Sequence, residues 1–536
     1  LDRLLAGVER AGNKVPHPAL LFLGLCIGTI VLSQLLAWGG VSATYEVVKP
    51  PPQEAEILDY GGSLPGETLP SEPPDASEYD VVTETVKIES LLSADGIRYL
   101  FTSFIPNFMG FTAMGIILVV MIGVGVAERS GLIGALIRKL VAASSEGSLT
   151  YIIVFLGILS SIVSDAGYLV LIPLGAAAFA SVGRHPLAGM AAAFAGVAGG
   201  FGVNFLITPT DAVLTEITNE SIALVDPSVS IDLTANLWFG IGSTILLTVV
   251  LGLVTRRVVE RRLGAYDSTH APDPSGEIQA ADDGPEIDAE AEKRGLRMSL
   301  WYFLGAVALI VLLTAPPGAP LRDPETGSII GTSPFMNSLI VIIAILFFAA
   351  GRGYGRGAGT INSATETVQA IEKSWGGLAG LLLLFLLIAQ FIAYFNYSNM
   401  PQVAAVKLGD IIENVNIPAG WLLLIAVIIT AMVGIIIPQA IAKWALLAPI
   451  FIPLFFRIGI EPEAVLAGYR VGDSMVNIVT PIMAYFPLIV VFAHRYDKRA
   501  GIGTVIALML PFFVAIAITW TIFYMGWYML GIPWGF

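Results

Sequence analysis

Apolar runs about twenty residues long constrain this chain more than any other feature. LLFLGLCIGTIVLSQLLAW at 20–38 and LWFGIGSTILLTVVLGLV at 237–254 carry no charge. A spanning helix needs about 20 mostly apolar residues. In lipid, backbone N–H and C=O groups must be satisfied internally, which favours helices. A transmembrane barrel would instead show short alternating strands. Composition agrees: 55% of the 536 residues are hydrophobic and 13% charged, whereas a soluble domain is about a quarter charged. The expected fold class is an all-α polytopic membrane protein.

Lys and Arg mark the cytoplasmic side of a membrane protein. Basic clusters stand at 2–14, 129–139, 184, 256–262, 293–297, 351–356 and 494–499. Alternating sides places spans near 18–38, 98–128, 186–217, 236–256, 299–316, 336–350, 376–396, 463–493 and 502–531. That is about nine, with the N-terminus cytoplasmic and the C-terminus periplasmic. The first run is read as a retained helix rather than a cleaved signal. GRGYGRGAG at 351–359 lacks the Lys-Ser/Thr ending of a phosphate loop and reads as a linker.

The net charge of −14 is concentrated in two hydrophilic inserts, about 40–97 and 264–292. Both read as solvated linkers or extramembrane flaps. Nothing resembles a nucleic-acid surface. The single cysteine, Cys26, excludes a disulfide within the chain and a cysteine metal site. His17, His185, His270 and His494 have no ligand spacing.

Two apolar stretches must begin and end on one side: 149–184 and 418–459. Each has a polar kink, SSIVSDAG at 160–167 and IIIPQAIAKW at 435–444. They read as oppositely oriented re-entrant hairpins, whose irregular backbone must be buried in protein or face water. Matching marks follow both. Each has Ile-Pro-Leu, then Gly-x-x-Pro ending at Pro186 or Pro462, then glycine, asparagine (Asn204, Asn477) and Thr-Pro (Thr208-Pro209, Thr480-Pro481). The pattern is an inverted-topology repeat, which points to alternating access at helix breaks.

Five regions follow. Residues 1–148 hold N-terminal helices and the first insert, and 149–235 form repeat 1 of the transport core. Residues 236–417 hold connecting helices and the second insert. Residues 418–493 form repeat 2, and 494–536 the last helix.

Charges at membrane depth are rare and usually functional. Asp165, Asp211, Lys443, Arg470 and Asp473 all fall in the hairpin tips or broken helices. Arg470 and Asp473 are three apart and share a face of an intact helix. They read either as a self-neutralising pair or as working groups. In the second case Arg470 offers its fork to a substrate carboxylate, and Asp473 with Asn477 holds a proton or a sodium ion. Asp211 reads as a relay carboxylate or as a plain cap. Ser164-Asp165 can cap a half-helix. Lys443 and Trp444 mark the second tip, where Trp444 either packs or stacks on an aromatic substrate. No Ser-His-Asp set, HExxH motif or protease-type aspartate pair is present, so an intramembrane enzyme is the remote alternative and no enzyme is expected.

VERAGNKVPHP, SDAGYLVLIPLGAAAF, HPLAGMAAAFAGVAGGFGVN, AKWALLAPIFIPL and YRVGDSMVNIVTP together resemble the p-aminobenzoyl-glutamate transporter (AbgT) family. The resemblance implies a homodimer in the bacterial cytoplasmic (inner) membrane, with nine spans and two opposed hairpins per subunit. It implies ion-coupled transport of p-aminobenzoyl-glutamate, or export of sulfonamide antimetabolites on the same scaffold. No cofactor is implied beyond a coupling ion, H⁺ or Na⁺. The expected partners are that small molecule and membrane lipid, and no nucleic acid. Family positions map onto Asp211, Trp444, Pro462, Arg470, Asp473 and Pro481, and a sodium site fits Asp473 and Asn477. Ile441 stands where some members carry a serine. On the residues themselves, Lys443 and Asn204 join the expected substrate site, and Asp165 and Asp211 the expected ion path.

Overall fold

Helix breaks divide the chain more than helix lengths do. The computed structural model describes residues 18–49, 80–163, 167–266, 288–330, 333–415, 418–481, 483 and 485–536. Helix α1 (Pro18–Trp38) leads into an antiparallel ribbon of β1 (Ser42–Lys49) and β2 (Asp80–Lys87). Its register runs from Ser42 opposite Lys87 to Lys49 opposite Asp80. The first insert therefore carries a β-hairpin at its base, built from Val- and Thr-rich segments that suit a pleated surface. The segment expected as one span at 98–128 is three pieces: α2 (Ala94–Thr102), α3 (Phe104–Met109) and α4 (Thr112–Arg129). Ser103 and Gly110 stand at the breaks. α5 (Leu132–Ala142) follows.

Repeat 1 comprises α6 (Leu149–Leu159), α7 (Ile172–Ser181), α8 (Pro186–Gly199) and α9 (Pro209–Ile222). Connecting helices follow: α10 (Leu237–Val254), α11 (Ala289–Thr314), α12 (Leu339–Ala358), α13 (Ala364–Gly376), α14 (Ala379–Tyr397) and α15 (Met400–Val415). Repeat 2 comprises α16 (Ala419–Ile436), α17 (Ala440–Arg457), α18 (Pro462–Asn477) and α19 (Phe486–His494), and α20 (Ile502–Met529) ends the fold. The two repeats share one order: hairpin arm, break, hairpin arm, proline-opened helix, break, helix.

Among the described residues, nine helices are long and apolar enough to cross a membrane. The number agrees with the sequence reading, but the membership is refined. Segments 186–217 and 463–493 each split into two short helices. The break in the first runs from Gly200 to Thr208, and the break in the second follows Asn477 and holds Thr480-Pro481. The two arms of the second hairpin, α16 and α17, are 18 residues each, about 27 Å at ~1.5 Å per residue. They qualify on length, whereas α6 and α7 do not. Charge bias reports sidedness, not where a helix breaks.

Close helix packing rests on glycine, as in other membrane bundles. A Cβ on Gly157 of α6 would lie 2.9 Å from the Gly196 backbone of α8. The stretch at 351–359 is not a linker. α12 continues through it to Ala358, and Gly351 lets it close on α4, where a Cβ would meet the Ala127 backbone at 2.5 Å. Glycine-poor sequence would hold these helices apart.

Candidate functional site

The helices that meet at the breaks carry the charges. α8 is buried along its whole length and α18 at every residue but Glu463, so the buried polar groups on α18 need partners inside the protein. Arg470 and Asp473 lie one turn apart on it but do not pair with each other. Arg470 reaches across to repeat 1, and Asp473 faces the second hairpin.

Arg470 forms an ion pair through Nη1 with Asp211 Oδ1 of α9. It also donates to the Gly202 carbonyl at 3.0 Å and, through Nε, to Asn236 Oδ1 at 3.1 Å. Gly202 donates its own N–H to Ser474 Oγ at 2.8 Å. A Cβ there would sit 2.4 Å from that oxygen, so a larger residue would push the serine hydroxyl aside. Asp211 serves in two ways at once. Its Oδ2 accepts from the Thr208 N–H at 2.7 Å and hydroxyl at 2.8 Å, closing a capping box on α9, while Oδ1 takes the guanidinium. Asp211, Arg470, Asn204, Asn236, Gly202 and Gly240 line one cleft.

The second pair is deeper. Lys443 Nζ lies 2.7 Å from Asp473 Oδ1, with side chains 0% and 2% exposed. Lys443 is on the first turn of α17, not at the tip of the hairpin, which falls at 437–439. The Tyr469 hydroxyl donates to the Ala440 carbonyl and also lies 3.3 Å from Asp473 Oδ1. Beside it, Trp444 is fully buried. Its indole N–H reaches Thr218 Oγ1 at 3.0 Å and the Leu214 carbonyl at 3.2 Å. Its ring packs on Tyr469, with centroids 4.5 Å apart at 37°.

The two repeat asparagines differ. Asn204 is fully engaged: Nδ2 donates to the Ile158 carbonyl at 3.1 Å and Ser161 Oγ at 2.9 Å, and Oδ1 accepts from the Phe205 N–H at 2.7 Å. It ties the break of repeat 1 to the first hairpin. Asn477 Oδ1 is buried with no hydrogen-bond partner among the described residues. Pro462 opens α18, and Pro481 follows its break. Asp165 lies outside the described residues.

For sodium, the fit of Asp473 and Asn477 is poor. An orphaned amide oxygen suits a cation, but the Asp473 carboxylate already holds the Lys443 ammonium. Among the described residues, no group of three or more His, Cys, Asp or Glu can hold a metal ion. The structure thus brings Asp211, Arg470, Asn204, Lys443, Trp444 and Asp473 into two linked clusters. Nothing in the sequence pattern singles out Asn236 or Thr218, whereas Gly202 is among the glycines that mark the repeat. Tyr469 carries one signal, its four-residue spacing to Asp473.

A nearly all-helical chain with buried ion pairs at paired helix breaks belongs to the class of multi-pass membrane transporters of small molecules. The comparisons agree. The model of the AbgT putative transporter family matches residues 3–536. The p-aminobenzoyl-glutamate transport protein of Escherichia coli (strain K12) is 32% identical over 533 residues, 99% of this chain and 96% of that protein. The YdaH transporter of Alcanivorax borkumensis, whose crystal structure has an unusual topology, superposes with TM-score 0.83 at 39% identity, covering 97% of this chain and all of that one. MtrF of Neisseria gonorrhoeae, from a class of antimetabolite efflux pumps, gives 0.82 at 35% identity, covering 98% and 97%. The chain belongs to the AbgT family.

Proposed function

We propose that this chain is an ion-coupled secondary carrier of p-aminobenzoyl-glutamate or related aromatic folate fragments, working by alternating access in a bacterial cytoplasmic membrane. The observation that carries the reading is the Arg470–Asp211 pair, which links the broken helix of repeat 2 to that of repeat 1. A substrate carboxylate that displaces Asp211 from the guanidinium releases one repeat from the other. Binding and the movement of the repeats are thereby coupled. The relative in Escherichia coli supports the substrate class, since its name carries p-aminobenzoyl-glutamate. The orientation read from the basic clusters, N-terminus cytoplasmic and C-terminus periplasmic, belongs to the same proposal. So do assembly as a homodimer in lipid and coupling to H⁺ or Na⁺.

A second reading is export of sulfonamide-type antimetabolites. Similarity to MtrF favours it. So does the charge balance at the site, where Arg470 and Lys443 are both already neutralised by protein carboxylates. A substrate without a glutamate moiety needs no free cation there. The test is flux of labelled p-aminobenzoyl-glutamate and of a sulfonamide into proteoliposomes, under a pH gradient and then a Na⁺ gradient. Accumulation of the glutamate conjugate supports the first reading. Movement of the sulfonamide alone moves the assignment to efflux, and no flux of either overturns both.

A further inference from the structure

The second cluster carries a cation of its own. Lys443 Nζ lies 2.7 Å from Asp473 Oδ1 and has no other hydrogen-bond partner among the described residues. Its place is built by glycine. A Cβ on Gly434 of α16 would lie 2.7 Å from Nζ and 2.6 Å from Val476 Cγ2. A side chain at 434 would push the ammonium from its place between α16 and α18. Two oxygens close to this slot are buried and unpartnered among the described residues: Asn477 Oδ1, one turn beyond Asp473, and Thr430 Oγ1. Thr430 sits against Gly472, where a Cβ would meet its Cβ at 2.8 Å. Carboxylate and neutral amide or hydroxyl oxygens are the donors a small cation takes, and Asp473 Oδ1 is the one of these three that the ammonium reaches. The cation within reach is the lysine.

We propose that Lys443 is the resident counter-cation of this site and is the residue that excludes sodium from Asp473. A sodium ion on that carboxylate would stand beside an ammonium already bonded to it. Two like charges in a slot of low dielectric repel strongly, and among the described residues Asp473 is the one carboxylate paired with Lys443. From α18, Tyr469 presents a neutral hydroxyl, and Arg470 turns away to Asp211. α16 and α8 contribute no titratable side chain. On α9, Glu216 is bonded to Thr112, and on α20 the Tyr524 hydroxyl donates to the Ala464 carbonyl at 2.9 Å. The proposal rests on the carrier reading for its consequence, which is that transport runs without sodium.

The test needs no substrate. Purified full-length protein in detergent is heated in NaCl and in choline chloride of equal ionic strength. Ligand binding to the folded state raises the unfolding midpoint. The native protein is expected to show no sodium-specific shift. Lys443→Gln uncovers Asp473 and is expected to gain a saturable upward shift, which Lys443→Gln/Asp473→Asn loses again. A saturable sodium shift in the native protein overturns the proposal, and so does a folded Lys443→Gln that ignores sodium. Should Lys443→Gln not fold, equilibrium binding of radioactive sodium to the native protein decides: no specific site is expected, and one bound ion overturns the idea. These readouts stand apart from the flux assay, so a wrong substrate and a wrong role for Lys443 give different results.

Discussion

Removing either member of the Arg470–Asp211 pair is expected to cost unequal amounts. The arginine side chain is 6% exposed and the aspartate 18%. Asp211→Asn leaves a buried guanidinium with two neutral acceptors, the Gly202 carbonyl and Asn236 Oδ1. An uncompensated buried charge of this kind costs about 3–5 kcal/mol. Arg470→Gln leaves a carboxylate that still accepts two bonds from Thr208 and sits at the positive end of α9. Its loss falls to about 1–3 kcal/mol, the range for an under-satisfied buried group. The double variant should lose less than the sum, with a coupling of about 0.5–3 kcal/mol. The assay is a denaturant titration of the four proteins in mixed micelles, followed by tryptophan fluorescence. Equal single losses, a larger loss for Arg470→Gln, or strict additivity would refute the assignment of this pair as a buried link between repeats.

Three further outcomes are expected. Gly472→Ala places a methyl 2.5 Å from the Val427 carbonyl oxygen and should cost about 1–3 kcal/mol through overpacking. Gly380→Ala on α14, where a Cβ meets nothing within 4 Å, should be neutral or stabilising, and a similar loss at both would discredit the packing argument. Trp444→Phe keeps a ring but loses the indole N–H. Because the Thr218 hydroxyl still donates to the Leu214 carbonyl at 2.7 Å, the loss should be only about 1 kcal/mol, and one beyond about 3 kcal/mol would shift the weight to ring packing. His185 caps α8 through Nδ1, which accepts the Leu187 N–H at 3.3 Å. Burial holds its pKa below the usual 6.5, with the Asp497 carboxylate pulling the other way. The neutral form belongs to the folded state, so its contribution is fully present above that unfolded value and is lost as pH falls from there through the lowered folded value. His185→Gln should flatten the fall in thermal midpoint on acidification, and an unchanged slope would remove His185 from the account.

The sequence alone determined the solvent and the repeat. A charge-free apolar run as long as 20–38 points to a membrane span, and Thr-Pro disfavours helix at both breaks, so both were legible from local chemistry. It also showed which residues were too costly to be incidental. Asp211, Lys443, Arg470 and Asp473 stand out because charge in an apolar segment demands a partner.

Which partner each one takes was decided by tertiary structure. Arg470 and Asp473 are neighbours along α18, and helix spacing pairs them. The fold instead sends Arg470 to a residue 259 positions away and Asp473 to one on another helix. Spacing along one helix carries no information about what the opposite repeat presents, and the slot beside Gly434 exists only where three helices close. The extent of α12 through 351–358 was hidden for the same reason. Its glycines read as loop until α4 is seen packed against them, because close approach, not local propensity, is what they serve.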